Sequence, residues 1–209
     1  EMHMAHIATE LGVDPLEWRR SYFLKKGDTS STGGVLYSDI KLAEIADAVS
    51  RLSDYQEKHS AFSSNKGFWK GIGCAFFFHG CGFTGSGEAE LLKSRVKLKK
   101  YADGTVGIFV SSTEIGQGAL TTLRKIVSQT LDIPIEQVKL TYPDTADCPD
   151  PGPTVASRTV MIVGRLLQEC AIEMKQRWAE ETFEVMKDYV YPEHLSWDSE
   201  KLAGNAYPE

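Results

Sequence analysis

Val96-Lys97-Leu98-Lys99-Lys100-Tyr101-Ala102-Asp103-Gly104-Thr105-Val106-Gly107-Ile108-Phe109-Val110 decides the fold class. Apolar side chains at 96 and 98, and again at 106, 108 and 110, recur with period two, and successive residues of a strand face opposite sides of a sheet. Asp103-Gly104 stands between the two runs and tolerates the positive φ of a tight turn. The stretch reads as an antiparallel β-hairpin. Working outward, 119–131 carries Leu120, Leu123, Ile126, Val127, Thr130 and Leu131 at helical spacing, and 138–142 reads as a strand before a proline-rich loop. The segment 154–181 reads as one long helix with Val160, Val163, Leu167, Cys170, Ala171 and Met174 as its apolar stripe. Beyond Lys187 the signals fade.

Upstream, 70–78 is a short, almost unbroken apolar run with three phenylalanines, and its length predicts a buried strand. Helical spacing of Met4, Ile7, Ala8 and Leu11 predicts a first helix that stops at Gly12. Asp14-Pro15 then starts a second, short helix, with Asp14 as its cap. A polar loop fills 27–34, and Leu42, Ile45, Ala46, Val49 and Leu52 describe a further amphipathic helix with Asp39 near its start. The expected fold is α+β: an antiparallel hairpin and mixed sheet packed with several helices. The expected division is a helical lead-in over 1–66, an α+β portion over 67–190 and an incomplete segment over 191–209.

Composition bounds the function. The 209 residues, 42% apolar and 25% charged, suit a soluble globular protein of one large domain or two small ones. Lys and Arg number 23 against 29 Asp and Glu, a net charge of −6 spread along the chain, which argues against nucleic acid or an anionic membrane as partner. No membrane span is expected, since the apolar run near residue 75 is broken by His79 and glycines. The opening Glu1-Met2-His3-Met4 has neither a basic nor an apolar signal region, and a first residue other than Met suggests a processed or excerpted chain. Four cysteines without a Cys-x-x-Cys pair read as reduced thiols of a cytoplasmic protein. His3 and His6 share a helix face, and a solvated turn is a simpler reading than a metal site.

Three motifs invite chemistry. Gly80-Cys81-Gly82-Phe83-Thr84-Gly85 matches a dinucleotide fingerprint, with Asp103 about 20 residues on. That fingerprint requires a helix and then a parallel strand, whereas an antiparallel hairpin follows here. The glycines read instead as a turn leaving a strand or as a loop lining a pocket. Glu114-Ile115-Gly116-Gln117-Gly118 sits between a strand and a helix. Gly116 and Gly118 permit close backbone approach, Gln117 offers a donor and an acceptor to a flat heterocycle edge, and the free N–H groups of the next helix favour a phosphate. An ordinary strand-to-helix turn could use the same residues. Pro153-Thr154-Val155-Ala156-Ser157-Arg158-Thr159 reads either as a helix start capped by Thr154 or as an anion site built from Ser157, Arg158 and free N–H groups. Two such sites together suit a phosphorylated cofactor better than either alone. The histidines assemble no Ser–His–acid triad, and no His-Glu-x-x-His or Walker pattern occurs; Glu88, Glu90 and Glu114 are carboxylates without a distinguishing context.

Taken in order, the segments 1–19 and 26–28, Gly82-Phe83-Thr84, Asp103-Gly104-Thr105, Thr113 to Gly118 and Pro153 to Arg158 resemble the large, molybdopterin-binding subunit of the molybdenum hydroxylases, the xanthine dehydrogenase and aldehyde oxidase group. The resemblance implies a molybdenum–molybdopterin cofactor, with the cytosine dinucleotide among its forms. It implies hydroxylation of a heteroaromatic such as a purine, or of an aldehyde, with oxygen from water. Gly116, Gln117 and Gly118 would face the pterin, Ala156 would lie close to the metal, and Ser157 and Arg158 would hold the pterin or phosphate end. Phe83 and Thr84 would flank the substrate, by stacking and by a hydroxyl contact. Iron–sulfur (2Fe-2S) and FAD centres would sit on other domains or subunits.

The same resemblance places the family's glycine-rich segments and molybdenum-side arginine before Glu1, and its general-base glutamate beyond Glu209. No catalytic or metal-ligating residue is therefore assigned within the chain, which alone is expected to be inactive. Tyr22 stands where the family shows Asn, and Gly85-Ser86-Gly87-Glu88 departs on the substrate side. A non-catalytic binding or scaffold module is the first alternative and a dinucleotide-binding oxidoreductase the second.

Overall fold

The computed structural model describes residues 1–63, 69–78, 93–194, 196–198 and 200–205. It divides into two compact units, Glu1–His79 and Gly80–Glu209. This division falls beyond the 66/67 boundary read from the sequence because Ile72, Cys74 and Phe76 pack on the core of the first unit.

In the first unit, α1 (Met2–Glu10) and α2 (Pro15–Arg20) form as expected, and the Asp14 carboxylate accepts the amides of Leu16 at 2.8 Å and Glu17 at 3.0 Å. That bond satisfies donors a helix start leaves open. Buried Arg19 fastens the two helices, donating to the Glu1 carboxylate at 2.8 Å and to the carbonyls of Pro15 and Glu1. Tyr22 lies exposed with its ring edge-on to Trp18, so the departure there is carried at the surface. Helices α3 (Leu42–Ser53) and α4 (Tyr55–Ser63) follow, and Asp39 pairs with Lys41 rather than capping α3. The core is Leu16, Ala46 and Tyr55.

The expected strand at 70–78 does not form. Residues 69–78 carry no regular secondary structure, and Phe77 is 71% exposed. Alternate residues Ile72, Cys74 and Phe76 touch the core, so the apolar run has the side-chain period of a strand, but its Phe76 amide donates to the Glu1 carboxylate at 3.3 Å and no strand among the described residues pairs with it.

The second unit holds a four-stranded mixed sheet in the order β3-β2-β1-β4, with β1 (Arg95–Lys100), β2 (Val106–Phe109), α5 (Ala119–Leu131), β3 (Val138–Leu140), α6 (Gly164–Gln176) and β4 (Phe183–Asp188). The hairpin is present, with Leu98 opposite Ile108, and the Asp103 carboxylate accepts both the amide and the hydroxyl of Thr105 to close its turn. Strands β2 and β3 run parallel, which needs a crossover, and α5 supplies it. A small pair, β5 (Trp197–Asp198) and β6 (Ala203–Gly204), ends the described chain.

Val96, Leu98, Val106, Ile108, Val138 and Val185 of the sheet share one core with Leu123 and Val127 of α5 and Leu167, Cys170 and Met174 of α6. Burial pushes the Cys170 thiol up to about 12, which makes it a packing group rather than a nucleophile. Cys74 and Cys148 are also free, and Cys81 lies outside the described residues. No helix among the described residues is long and apolar enough to cross a membrane.

One further expectation needs correction here. The segment 154–181 is not one helix: 154–158 is a turn, a wide helical turn follows over 159–163, and α6 ends at Gln176. Ala156 and Ser157 cause this, because both adopt left-handed φ, 51° and 57°, which a right-handed helix cannot contain. Residues 183–188, which fall in no element read from the sequence, form β4, antiparallel to β1 with Val185 opposite Leu98.

Candidate functional site

Strand β2 ends at Phe109, and the chain passes through a loop into α5. Gly116 and Gly118 have φ of 98° and 79°, and a Cβ on either would meet nothing within 4 Å, so the glycines serve backbone shape rather than a close contact. The N-terminus of α5 is not open to an anion. Glu114 fills it, one carboxylate oxygen accepting the amides of Gly116 and Gly118 at 2.9 Å each and the other the amide of Leu120 at 3.1 Å. The expected phosphate position is thus occupied by the chain's own charge, favourably placed at the positive end of a helix.

The amides of Gly118 and Leu120, helped by Gly116 and Gln117, hold the Glu114 carboxyl below the usual glutamate range. A group depressed in the folded state stabilises it fully above the unfolded value and loses that contribution as pH falls through the folded value. Acidification from the ordinary glutamate value downward is therefore expected to speed exchange of the Gly116, Gly118 and Leu120 amides. Nuclear magnetic resonance checks this, and Glu114→Gln is expected to abolish the acid dependence.

Gln117 is folded back on its own loop. Its Nε2 donates to the Thr113 carbonyl at 2.8 Å and its Oε1 accepts the Ile115 amide at 2.7 Å.

The second segment approaches from the loop before α6. Thr154 does not cap a helix; its Oγ1 accepts the Thr113 amide at 2.9 Å and so joins the two segments. Left-handed Ala156 and Ser157 come next, a conformation that costs a non-glycine residue about 1–2 kcal/mol and persists only where neighbours impose it.

Arg158, the next residue, fixes the loop that leads into this turn. Its side chain is fully buried; one terminal nitrogen donates to the carbonyls of Pro151 and Pro153 at 2.9 Å each, and the other makes a long contact of 3.5 Å to that of Lys93. Gly152, at φ 74°, packs so closely that a Cβ there would lie 2.6 Å from the Lys93 carbonyl. Burial pulls the guanidinium below its usual range, with Asp150 and Tyr189 opposing. Arg158 thus holds loop backbone and does not present its fork to an outside anion.

The two segments enclose a concave pocket of ≈ 420 Å³, within the range typical of small-molecule sites. Ile115, Gln117 and Ala119 line it from one side and Thr154, Ala156 and Ser157 from the other. Gly116, Gly118 and Arg158 stand behind this lining. Hollows of ≈ 470 and ≈ 590 Å³ lie beside β4 and contain none of the residues singled out by the sequence. Phe83, Thr84, Glu88, Glu90 and the whole Gly80 to Gly85 motif lie outside the described residues. His3 and His6 are exposed on α1, and among the described residues no group of three or more His, Cys, Asp or Glu could hold a metal. Sequence reasoning missed the clamp by Glu114 and the tie by Thr154, because both partners were already accounted for as an ordinary carboxylate and a helix cap.

A family model described as a molybdopterin cofactor-binding domain matches residues 48–206. The chain is 28% identical over 173 residues to the putative xanthine dehydrogenase molybdenum-binding subunit XdhA of Escherichia coli, covering 81% of this chain and 22% of that one. It is 23% identical over 184 residues to the nicotine 6-hydroxylase large subunit of Paenarthrobacter nicotinovorans, covering 85% of this chain and 22% of the relative. Among solved structures, the aldehyde oxidoreductase of Desulfovibrio gigas superposes with a TM-score of 0.71 at 20% identity, over 99% of this chain and 24% of its own. The chain spans less than a quarter of the length of these relatives.

Proposed function

Because the chain belongs to the molybdopterin cofactor-binding domain family, we propose that the pocket between the 113–119 and 154–160 segments is its pterin-facing surface. The chain then forms part of the large subunit of a molybdenum hydroxylase. One observation carries this reading: the hydrogen bond from the Thr113 amide to Thr154 Oγ1, which makes one pocket of two segments 41 residues apart. The residues suit the group. Ala119 and Ala156 leave room for a flat ring, while Gln117 and Ser157 line the same pocket with a carboxamide and a hydroxyl, groups that suit its edge.

Gln117 binds and orients the pterin through the N–H and the oxygen lone pair that its two internal bonds leave over. Ala156 and Ser157, in their left-handed turn, bring backbone and a small hydroxyl against it. Gly116 and Gly118 shape the loop, and Arg158 contributes from behind by holding the turn. Bound there, a molybdenum–molybdopterin, in mononucleotide or cytosine dinucleotide form, would supply oxidation of a heteroaromatic such as a purine, or of an aldehyde, using water oxygen. Among the described residues no carboxylate lines the pocket, and proton transfer and turnover are assigned to the complete subunit. Phe83 and Thr84 are proposed for the substrate side, 2Fe-2S and FAD centres for partner domains or subunits, and the cytoplasm for its location.

Gln117→Ala is expected to weaken molybdopterin binding about tenfold, the worth of one or two hydrogen bonds, while the chain stays folded. Fluorescence titration with molybdopterin and circular dichroism measure the two quantities. Unchanged affinity would remove Gln117 from the site. Mass spectrometry of the cofactor extracted from the complete enzyme would settle its nucleotide form.

A further inference from the structure

We propose that Glu114 is the positioning residue of this pocket: it holds the 113–118 loop on α5 so that the Gln117 carboxamide keeps its remaining N–H and lone pair toward a pterin. The inference rests on the function proposed above. The Gln117 carboxamide oxygen takes the Ile115 amide and its nitrogen gives one hydrogen to the Thr113 carbonyl, which leaves one N–H and one oxygen lone pair for a ligand. Both bonds fix the amide at the pocket it lines, and both hold only while the 113–118 loop keeps its shape.

Other links set that shape. The Glu114 carboxylate grips the amides of Gly116 and Gly118, on either side of Gln117, and the amide of Leu120 in the first turn of α5. The Thr113 amide stays on Thr154 Oγ1. Gly116 and Gly118 have open space around them and no side chain to restrain them, so this stretch of backbone depends on the clamp for its order. An ionised carboxylate accepts through both oxygens and can take all three amides, whereas Gln at 114 would turn an NH₂ against a backbone donor. Glu114 therefore acts through Gln117, with its charge spent on amides rather than on proton transfer.

The test uses the full chain with a double-mutant cycle. In Glu114→Gln, exchange of the Gly116, Gly118 and Leu120 amides and of the Gln117 carboxamide is expected to speed about tenfold, while the Leu123 and Val127 amides of α5 change less than about twofold. Unchanged exchange at the Gln117 carboxamide overturns the proposal. Molybdopterin affinity, read by fluorescence, is expected to fall about tenfold in Glu114→Gln but less than about twofold when the same change is made in Gln117→Ala. Equal losses in both backgrounds mean that Glu114 only holds the helix, and overturn its positioning role. If the unsubstituted chain binds no molybdopterin, the function proposed above fails, and the Gln117 carboxamide exchange alone decides this inference.

Discussion

Arg158→Met is expected to destabilise the second unit by about 3 kcal/mol, read as a lowered midpoint in urea unfolding. The side chain is fully buried, so methionine fills much of its volume but takes away the donors that the Pro151 and Pro153 carbonyls now share. A buried acceptor left without its partner costs about 1–3 kcal/mol. Two such losses are offset in part by no longer burying a cation. The damage should start in the loop: amides of 150–157 are expected to exchange faster before the sheet does, and the left-handed turn at Ala156 and Ser157 to relax toward helix. Arg158→Lys should recover only part of the loss, because an ammonium on a flexible stem cannot span two carbonyls as a planar fork does. A loss under about 1 kcal/mol for Arg158→Met would show that the loop carbonyls find other donors and that this residue does not hold the turn.

Leu167→Ala is expected to cost about 3 kcal/mol as well, for a different reason and with a different signature. Leu167 is fully buried where α6 meets the sheet, and removing its branched end leaves a void among neighbours that cannot close over it. Such substitutions cost about 2–5 kcal/mol. The void weakens the unit as a whole, so exchange should rise together across β1, β2 and α6, while pterin affinity below the transition stays within about twofold. The Arg158 variant should show the reverse order, with the pocket failing before the fold. A Leu167 variant that loses affinity while its melting temperature is unchanged would break this distinction between core and loop.

How much of this was legible can be judged from particular elements. The hairpin and α5 were readable because their signals are local: alternation and Asp103-Gly104 for the one, and a stripe at three and four residues for the other. The run at 70–78 misled because apolar composition reports the tendency to avoid water and not the existence of a backbone partner; its alternate residues touch a helical core instead. Strand β4 offers only Phe183 and Val185 as buried apolar positions, too few to announce a strand, and becomes one by pairing with β1 far upstream. Of the candidate site, the residues Gln117, Ala156 and Ser157 were named from the chain, but Glu114 was passed over and Arg158 was read as facing outward.

Periodicity, turn chemistry and the order of short motifs were enough to establish the α+β class, the helices that follow their own stripes, and the family to which the chain belongs. Tertiary structure alone decided which partner each polar group would take. Glu114 caps α5 in place of an outside anion, Thr154 ties to Thr113 in place of capping a helix, and Arg158 turns inward to three carbonyls. A carboxylate, a hydroxyl or a guanidinium has several acceptable partners along any chain, and only the packing that buries some and exposes others makes one of them the best.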